Sequence, residues 1–422
     1  MSEVMSDKIP ENPKYDILET ARRIVRLGPI CDSCLGRQFA MLSTGLTNAE
    51  RGRSLKTVLA MQASAQEDPA LLEDLAPCYL PARLKLGRRD EPDARCTVCL
   101  GEMSHEMLDK WAERAAAALS GWEYSTLVVG TKISGLLAEN EELLLADGGA
   151  RHAEPFKSEL NREVGKRLAQ LTGKSFDLKS PDMVVHLNLE KGEVELQVAS
   201  LFIRGRYRKL VRGIPQTRWP CRECRGRGCP RCNGTGRMYQ ESVDELIRPA
   251  VMHAAESEDT VFHGAGREDI DARMLGSGRP FVMEIEAPRK RLVDLAALEE
   301  KINRDAAGRV AVRLDGWADR KMVQSIKSGK GHKRYRILVE IDGSVTPDEF
   351  RAALDQLKGA TIRQRTPTRV SHRRADKVRE RRVLDIECTG GVDGRYWVEV
   401  AGEAGLYIKE LVSGDSGRTR PS

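Results

Sequence analysis

Eight of the ten cysteines in this 422-residue chain fall into C-x-x-C pairs, and that spacing constrains the fold more than any other feature. A C-x-x-C turn presents two sulfurs from one knuckle, and zinc prefers four thiolates at the corners of a tetrahedron. CDSC at Cys31 and Cys34 and CTVC at Cys96 and Cys99 are two such knuckles, which together would make one closed structural site. The alternative is two unrelated pairs of buried thiols. A closed site staples a fold and does no chemistry of its own. The opening MSEVMSDKIPENPK has no apolar segment of the kind a secretory signal needs, so the thiols are expected to be reduced rather than paired as disulfides. Cys78 and Cys388 stand outside the pairs and read as core residues.

A second cluster, CRECRGRGCPRCNGTG, holds Cys221, Cys224, Cys229 and Cys232 in two abutting copies of C-x-x-C-x-G-x-G. The repeat is similar to that in the zinc region of J-domain chaperones, where copies that share a metal are spaced apart. Here only four residues separate Cys224 from Cys229. Glycines ease so short a gap, and the spacing leaves metal binding at this cluster open. A chaperone function lacks support, since no J-domain motif accompanies the repeat.

The length favours two or three domains, and a 40% hydrophobic content can fill real cores. No run approaches eighteen consecutive apolar residues, so the expectation is a soluble, cytoplasmic chain without a membrane span. The net charge of +6 conceals an asymmetry. Ile203 to Arg237 holds eleven Lys/Arg and one acid, and Thr361 to Arg382 holds nine and two, which leaves the remainder net acidic. Positive charge concentrated in two segments favours a polyanion partner over a merely solvated face.

Periodicity predicts a helix around Lys14 to Leu27 and another through SHEMLDKWAERAAAAL, with Ser104 as its cap. STLVVGTKIS predicts a strand and PFKSELNREVGKRLAQLTG an amphipathic helix. MVVHLNLEKGEVELQVASLFIRGRY predicts two strands joined by a Lys-Gly turn, closing a small α/β domain near Phe202. The C-terminal half mixes helices with more numerous strands, among them GLYIKELV, and predicts a mixed, largely antiparallel sheet.

Phe262 to Pro288 alternates glycines and charges between two strand-like runs and predicts a loop. Glu268, Asp269 and Asp271 crowd three carboxylates into four residues and need cations beside them. A salt-bridged turn without activity would look the same. Six phrases settle the direction: GRYRKLVRGIPQTRW, GREDIDARMLGSGRPF, IEAPRKR, HKRYRILVEI, QRTPTRVSHRRADKVRER and GLYIKELVSGDSGRT. In this order they closely resemble the archaeal and eukaryotic family of tRNA pseudouridine synthases that act on positions 54 and 55 of the TΨC loop. KSELNREVGKRL and the paired knuckles resemble that family's THUMP-containing RNA-binding region.

The resemblance implies that Asp271 is the nucleophile, with Asp269 as the rival carboxylate. It implies that Tyr335 stacks on the uracil and helps remove the C5 proton, and that Tyr407 is a second substrate contact. Lys409 stands where related synthases often carry arginine and is the expected cation beside Asp271, with Arg418 as the fallback or a phosphate contact. His263, His332 and His372 remain loop or RNA contacts. RVSHRRADKVRERR and GRYRKLVRGIPQTRW become the phosphate-binding surface. The expected fold class is α+β: a zinc-stapled, THUMP-containing α/β RNA-binding region followed by a synthase domain with flanking helices. Expected boundaries are 1–72 for the helical knuckle region, 73–202 for the THUMP-type domain and 203–422 for the catalytic domain, with 219–237 inserted. The expected protein is a monomeric, stand-alone enzyme that binds tRNA without guide RNA. It needs no catalytic cofactor and carries structural zinc. The alternative is a catalytically inactive tRNA-binding zinc protein or RNA chaperone.

Overall fold

The computed structural model describes residues 15–329, 331–341, 343–373 and 375–422. Lys14 and the side chain of His372 lie outside the described residues. The chain divides into two compact units: one runs through His263 and adds Arg267–Asp319, the other joins Gly264–Gly266 to Arg320–Ser422. No described helix is long and apolar enough to cross a membrane.

The first unit opens with helices α1 (Ile17–Arg26), α2 (Asp32–Arg37), α3 (Asn48–Ala65), α4 (Pro69–Leu75), α5 (Leu80–Lys85) and α6 (His105–Ala118). Side-chain caps set their starts: Asp16 on α1, a Thr47–Glu50 capping box on α3 and, as expected, Ser104 on α6. Where α2 meets α3, the two backbones touch. A Cβ on Gly36 would stand 1.8 Å from the Asn48 carbonyl oxygen, and one on Gly52 would stand 1.9 Å from that of Asp32. Beside this crossing the buried Lys56 ammonium reaches the Ile30 carbonyl at 2.7 Å, the Cys78 carbonyl at 3.0 Å and the Asp32 carboxylate at 2.8 Å.

An α/β layer follows, with β1 (Thr126–Lys132), α7 (Gly135–Gly148), α8 (Phe156–Thr172), β2 (Ser175–Phe176), β3 (Met183–Asn188) and β4 (Glu193–Val198). The sheet order is β2-β1-β3-β4, parallel at β1 and antiparallel in the β3–β4 hairpin. Leu127 and Val129 alternate inward with Met183, Val185 and Leu187, sharing one core with the N-terminal helices. The proline ahead of α8 sits at its N-cap.

One strand expectation needs correction. The stretch through Tyr207 is not the second arm of a hairpin, because the chain breaks after β4 and β5 (Leu201–Lys209) enters a different sheet. With α9 (Val243–Ala255), β6 (Asp259–Gly264), β7 (Met274–Glu286), α10 (Leu295–Asp305) and β8 (Val310–Ala318), it builds a sheet of order β6-β7-β5-β8. β5 runs antiparallel to both β7 and β8. Its alternation explains the change: Ile203, Gly205, Tyr207 and Lys209 turn inward while Arg204 and Arg208 face out. A second correction concerns Phe262 to Pro288, in which the loop between strands is confined to 265–273, since the Gly276–Gly278 stretch already lies on β7.

The second unit contains α11 (Arg320–Ser328), β9 (Lys333–Glu340), α12 (Pro347–Leu357), β10 (Thr361–Arg365), β11 (Val378–Val392), β12 (Arg395–Gly402), α13 (Ile408–Ser413) and β13 (Thr419–Arg420). Its sheet has the order β13-β10-β11-β12-β9, and every pairing in it is antiparallel. GLYIKELV, expected as a strand, is a helix. Ile408 and Leu411, three apart, are both buried, and the Leu411 N–H donates to the Tyr407 carbonyl at 2.9 Å.

Because neither backbone at the α2–α3 crossing has room for a methyl, Gly36→Ala or Gly52→Ala should cost about 3 kcal/mol. The unfolding midpoint in urea reports this. Gly135→Ala, where a Cβ meets open space, should leave the midpoint in place.

Candidate active site and metal centres

Cys31, Cys34, Cys96 and Cys99 converge from the start of α2 and the turn before α6, with all four sulfurs within 4.8 Å of one another. Cys31 and Cys99 sulfurs are 3.8 Å apart. A zinc ion with bonds of about 2.3 Å to four sulfurs would put them about 3.8 Å apart along each tetrahedral edge. Burial pushes the Cys34 thiol well above its ordinary pKa, so that sulfur holds a charge only beside a cation. The fully buried Arg37 guanidinium donates to the Cys34 sulfur at 3.4 Å and pairs with Glu159 at the same distance. A soft, four-sulfur donor set with this spacing fits zinc.

The second cluster has the same geometry. Cys221 to Cys229 and Cys224 to Cys232 are each 3.8 Å between sulfurs, and Cys229 to Cys232 is 3.7 Å. The short gap between the copies is solved by glycine. The two copies fold onto each other so closely that a Cβ on Gly236 would meet the Gly226 carbonyl oxygen at 2.3 Å, and one on Gly228 would meet that of Gly234 at 2.7 Å. Backbone N–H groups of Gly228 and Gly236 point at the Cys224 and Cys232 sulfurs at 3.1 and 3.2 Å, as thiolate ligands require. These four residues also fit zinc.

Asp271 stands on the turn between β6 and β7, and its side chain is exposed. Beneath it lies a buried polar floor. Glu268 accepts from the Tyr207 hydroxyl at 2.9 and 2.7 Å and pairs with Arg279 at 2.8 Å, while Gln216 donates to the same hydroxyl at 2.8 Å. Burial, reinforced by the Glu268 charge, pushes the Tyr207 phenol well up, so it stays a donor. The Lys209 ammonium, wholly out of solvent, donates to the Ile214 and Asp269 carbonyls at 3.0 Å and to that of Ile270 at 3.3 Å. Burial lowers its pKa, and the charges of Glu268, Asp271 and Asp269 oppose that shift. The Gly213 N–H adds a bond to the Ile270 carbonyl at 2.9 Å. Thus the two residues ahead of Asp271 are pinned through their backbone, and of the three crowded acids only Asp271 is exposed.

This floor was missed by motif reasoning. Its signal was the period of two in IRGRYRK, which puts Tyr207 and Lys209 on the same face as Ile203.

In the second unit, Tyr335 lies on β9 opposite Val400, on the face packed against the core. Tyr407 caps α13, and the buried Gln364 side chain holds both its backbone groups, accepting at 2.8 Å and donating at 2.9 Å. Lys409 is exposed on α13. Arg418 donates to the Thr366 carbonyl at 2.7 Å and pairs with Asp376 and Asp415. Several arginines of the basic run are structural: Arg369 pairs with Glu410 at 2.6 Å, Arg381 donates to the Ala404 carbonyl at 2.8 Å and Arg382 to that of Gly359 at 3.0 Å. His263 lies on β6 rather than in a loop and pairs with Glu284 at 2.9 Å. Removing the pinning ammonium while keeping its bulk, Lys209→Met, should destabilise the chain by about 1–3 kcal/mol through its stranded carbonyls. Hydrogen exchange should rise at 267–273, and equal exchange there would contradict the pinning.

Comparison with known proteins gives two family matches. Residues 202–422 match the family described as Pus10, C-terminal, and residues 111–188 match the archaeal Pus10 THUMP domain. The tRNA pseudouridine synthase Pus10 of Methanothrix thermoacetophila is 58% identical over 96% of this chain and 90% of its own length. That of Halorubrum lacusprofundi is 45% identical over 96% and 92%, and that of Methanopyrus kandleri 44% over 93% and 91%. The resemblance carried by the six phrases is borne out. With its C-terminal half matched end to end and its relatives covered over nine-tenths of their length, the chain belongs to the Pus10 family.

Proposed function

We propose that this chain is a tRNA pseudouridine synthase, isomerising uridine 54, uridine 55 or both in the TΨC loop, with Asp271 as nucleophile. The observation that carries the proposal is the pinned loop: the exposed Asp271 carboxylate follows two residues whose carbonyls are tied to the buried Lys209 ammonium. A rigid backbone holding one outward carboxylate is what a nucleophile needs. The curated relatives carry the name of this activity.

The chemistry is an isomerisation. The N1–C1′ bond breaks, the uracil turns, and C5 bonds to C1′; the C5 proton is lost and N1 gains one, so atoms and electrons balance without an oxidant or activated water. Asp271 captures the sugar or the base while the glycosidic bond is open. Tyr335 stacks on the uracil and assists loss of the C5 proton, Tyr407 is a second contact, and Lys409 supplies the ammonium that keeps Asp271 ionised in the tRNA-bound enzyme. Arg418, tied to carboxylates and a carbonyl, serves as a secondary phosphate contact. The target uridine leaves its loop to reach the carboxylate. The enzyme acts as a monomer in the cytoplasm, without guide RNA. Arg204, Arg208, Arg212 and Arg218, all exposed, hold tRNA phosphates. Zinc at both four-sulfur clusters is structural; it closes folds and takes no part in a step.

Chemical mapping of an unmodified tRNA transcript after incubation with the chain tests the site and position together. Asp271→Asn should bind tRNA within about twofold of the parent and form no pseudouridine; modification at the parent's rate would remove Asp271 from its role. Elemental analysis should find close to two zinc ions per chain, and Cys31→Ser should lose one of them together with the folding transition of the N-terminal helices.

A further inference from the structure

The second sulfur cluster is mechanically continuous with the loop that carries Asp271. The ends of the knuckle pair as a short neck: the Cys221 N–H donates to the Gly236 carbonyl at 2.8 Å, and the Met238 N–H to that of Trp219 at 3.0 Å. Pro220 and Arg237 face each other between these bonds, and Arg237 fastens the neck to α9 through Glu245 at 3.0 Å. At the foot, Trp219 meets Tyr239 edge-on, with centroids 5.6 Å apart. Over its face lies the Arg267 guanidinium, 4.4 Å from the ring centroid. An indole is the strongest aromatic partner for a cation. Arg267 directly precedes the buried Glu268 and stands four residues before Asp271.

We propose that the metal-closed knuckle is a positioning element for the catalytic loop, acting through Trp219 on Arg267. The inference rests on Asp271 as the nucleophile. Lys209 and Glu268 fix the loop from below, and the exposed Arg267 lies on the indole surface of Trp219. Trp219 supplies that surface only while the neck is closed, and the four sulfurs close the neck. The rival role for the knuckle is phosphate binding by its exposed arginines Arg222, Arg225, Arg227 and Arg231. A zinc tetrathiolate is itself net anionic, so these guanidinium groups already have a counter-charge in their own fold.

The test uses the full chain as purified, with the variants Cys229→Ser, Trp219→Leu and Trp219→Phe. Zinc content, hydrogen exchange over 265–274, tRNA affinity and the single-turnover rate are measured on each. Cys229→Ser should lose one zinc and Trp219→Leu none. Both should expose the 267–271 amides to exchange and slow the single-turnover rate by about tenfold to a hundredfold, with tRNA affinity within about twofold. Trp219→Phe, which keeps a ring for Arg267, should restore most of the protection. A parent chain with only one zinc, or a Cys229→Ser chain with unchanged exchange and rate, overturns the proposal. Lost tRNA affinity with unchanged exchange overturns it in favour of phosphate contact. Zinc content and exchange do not depend on which carboxylate attacks, so an active Asp271→Asn variant would fail the nucleophile assignment without deciding this coupling.

Discussion

A single buried ammonium organises the loop on which the proposed chemistry depends. Lys209 is a cation with no access to water, and it is tolerable there because three carbonyl oxygens and the surrounding carboxylates compensate its lost hydration. The compensation works in both directions. The carbonyls of Asp269 and Ile270 would otherwise be free to reorient, and the turn that ends at Asp271 would have many conformations of similar energy. Glu268 serves the same end from the side chain, held by Tyr207 and Arg279. Buried polar networks are costly when incomplete and rigid when complete, and this one sits directly under an exposed carboxylate.

β5 is the element that makes this possible, because its two faces serve different purposes. Inward, Ile203, Tyr207 and Lys209 supply core and floor; outward, Arg204 and Arg208 meet solvent. One nine-residue strand thus couples loop geometry to surface charge. The positive charge concentrated in each basic run therefore divides by face here, and in the second unit it divides again. Arg369, Arg381 and Arg382 hold their own fold, so the surface available to a polyanion is smaller than the residue count suggests.

What the sequence made legible was local or carried by whole motifs. Cysteine pairs are local in spacing, and both sets converge as ligands must. Amphipathic helices such as α6, with its Ser104 cap, and α8 were legible because such signals lie in one window. Pairing partners were not, since nothing local distinguishes a strand that closes a hairpin from one that leaves for another sheet, as β5 does. GLYIKELV holds residues that suit either state, and the burial of Ile408 with Leu411 decided for helix. The floor under Asp271 stayed hidden because a lysine in a basic run reads as surface until its neighbours Ile203 and Tyr207 are seen to share its face.

The two sulfur clusters close loops of very different length, and this separates what they do to the unfolded chain. Roughly sixty residues lie between Cys34 and Cys96, so cross-linking them removes about 4 kcal/mol of chain entropy by the reasoning applied to disulfides. Most of helices α2 to α5 fall inside that ring. The ring in the second cluster spans only a dozen or so residues and constrains far less of the random coil. Titrating metal into denatured protein would therefore compact the N-terminal third of the polymer and leave the rest of its dimensions nearly untouched.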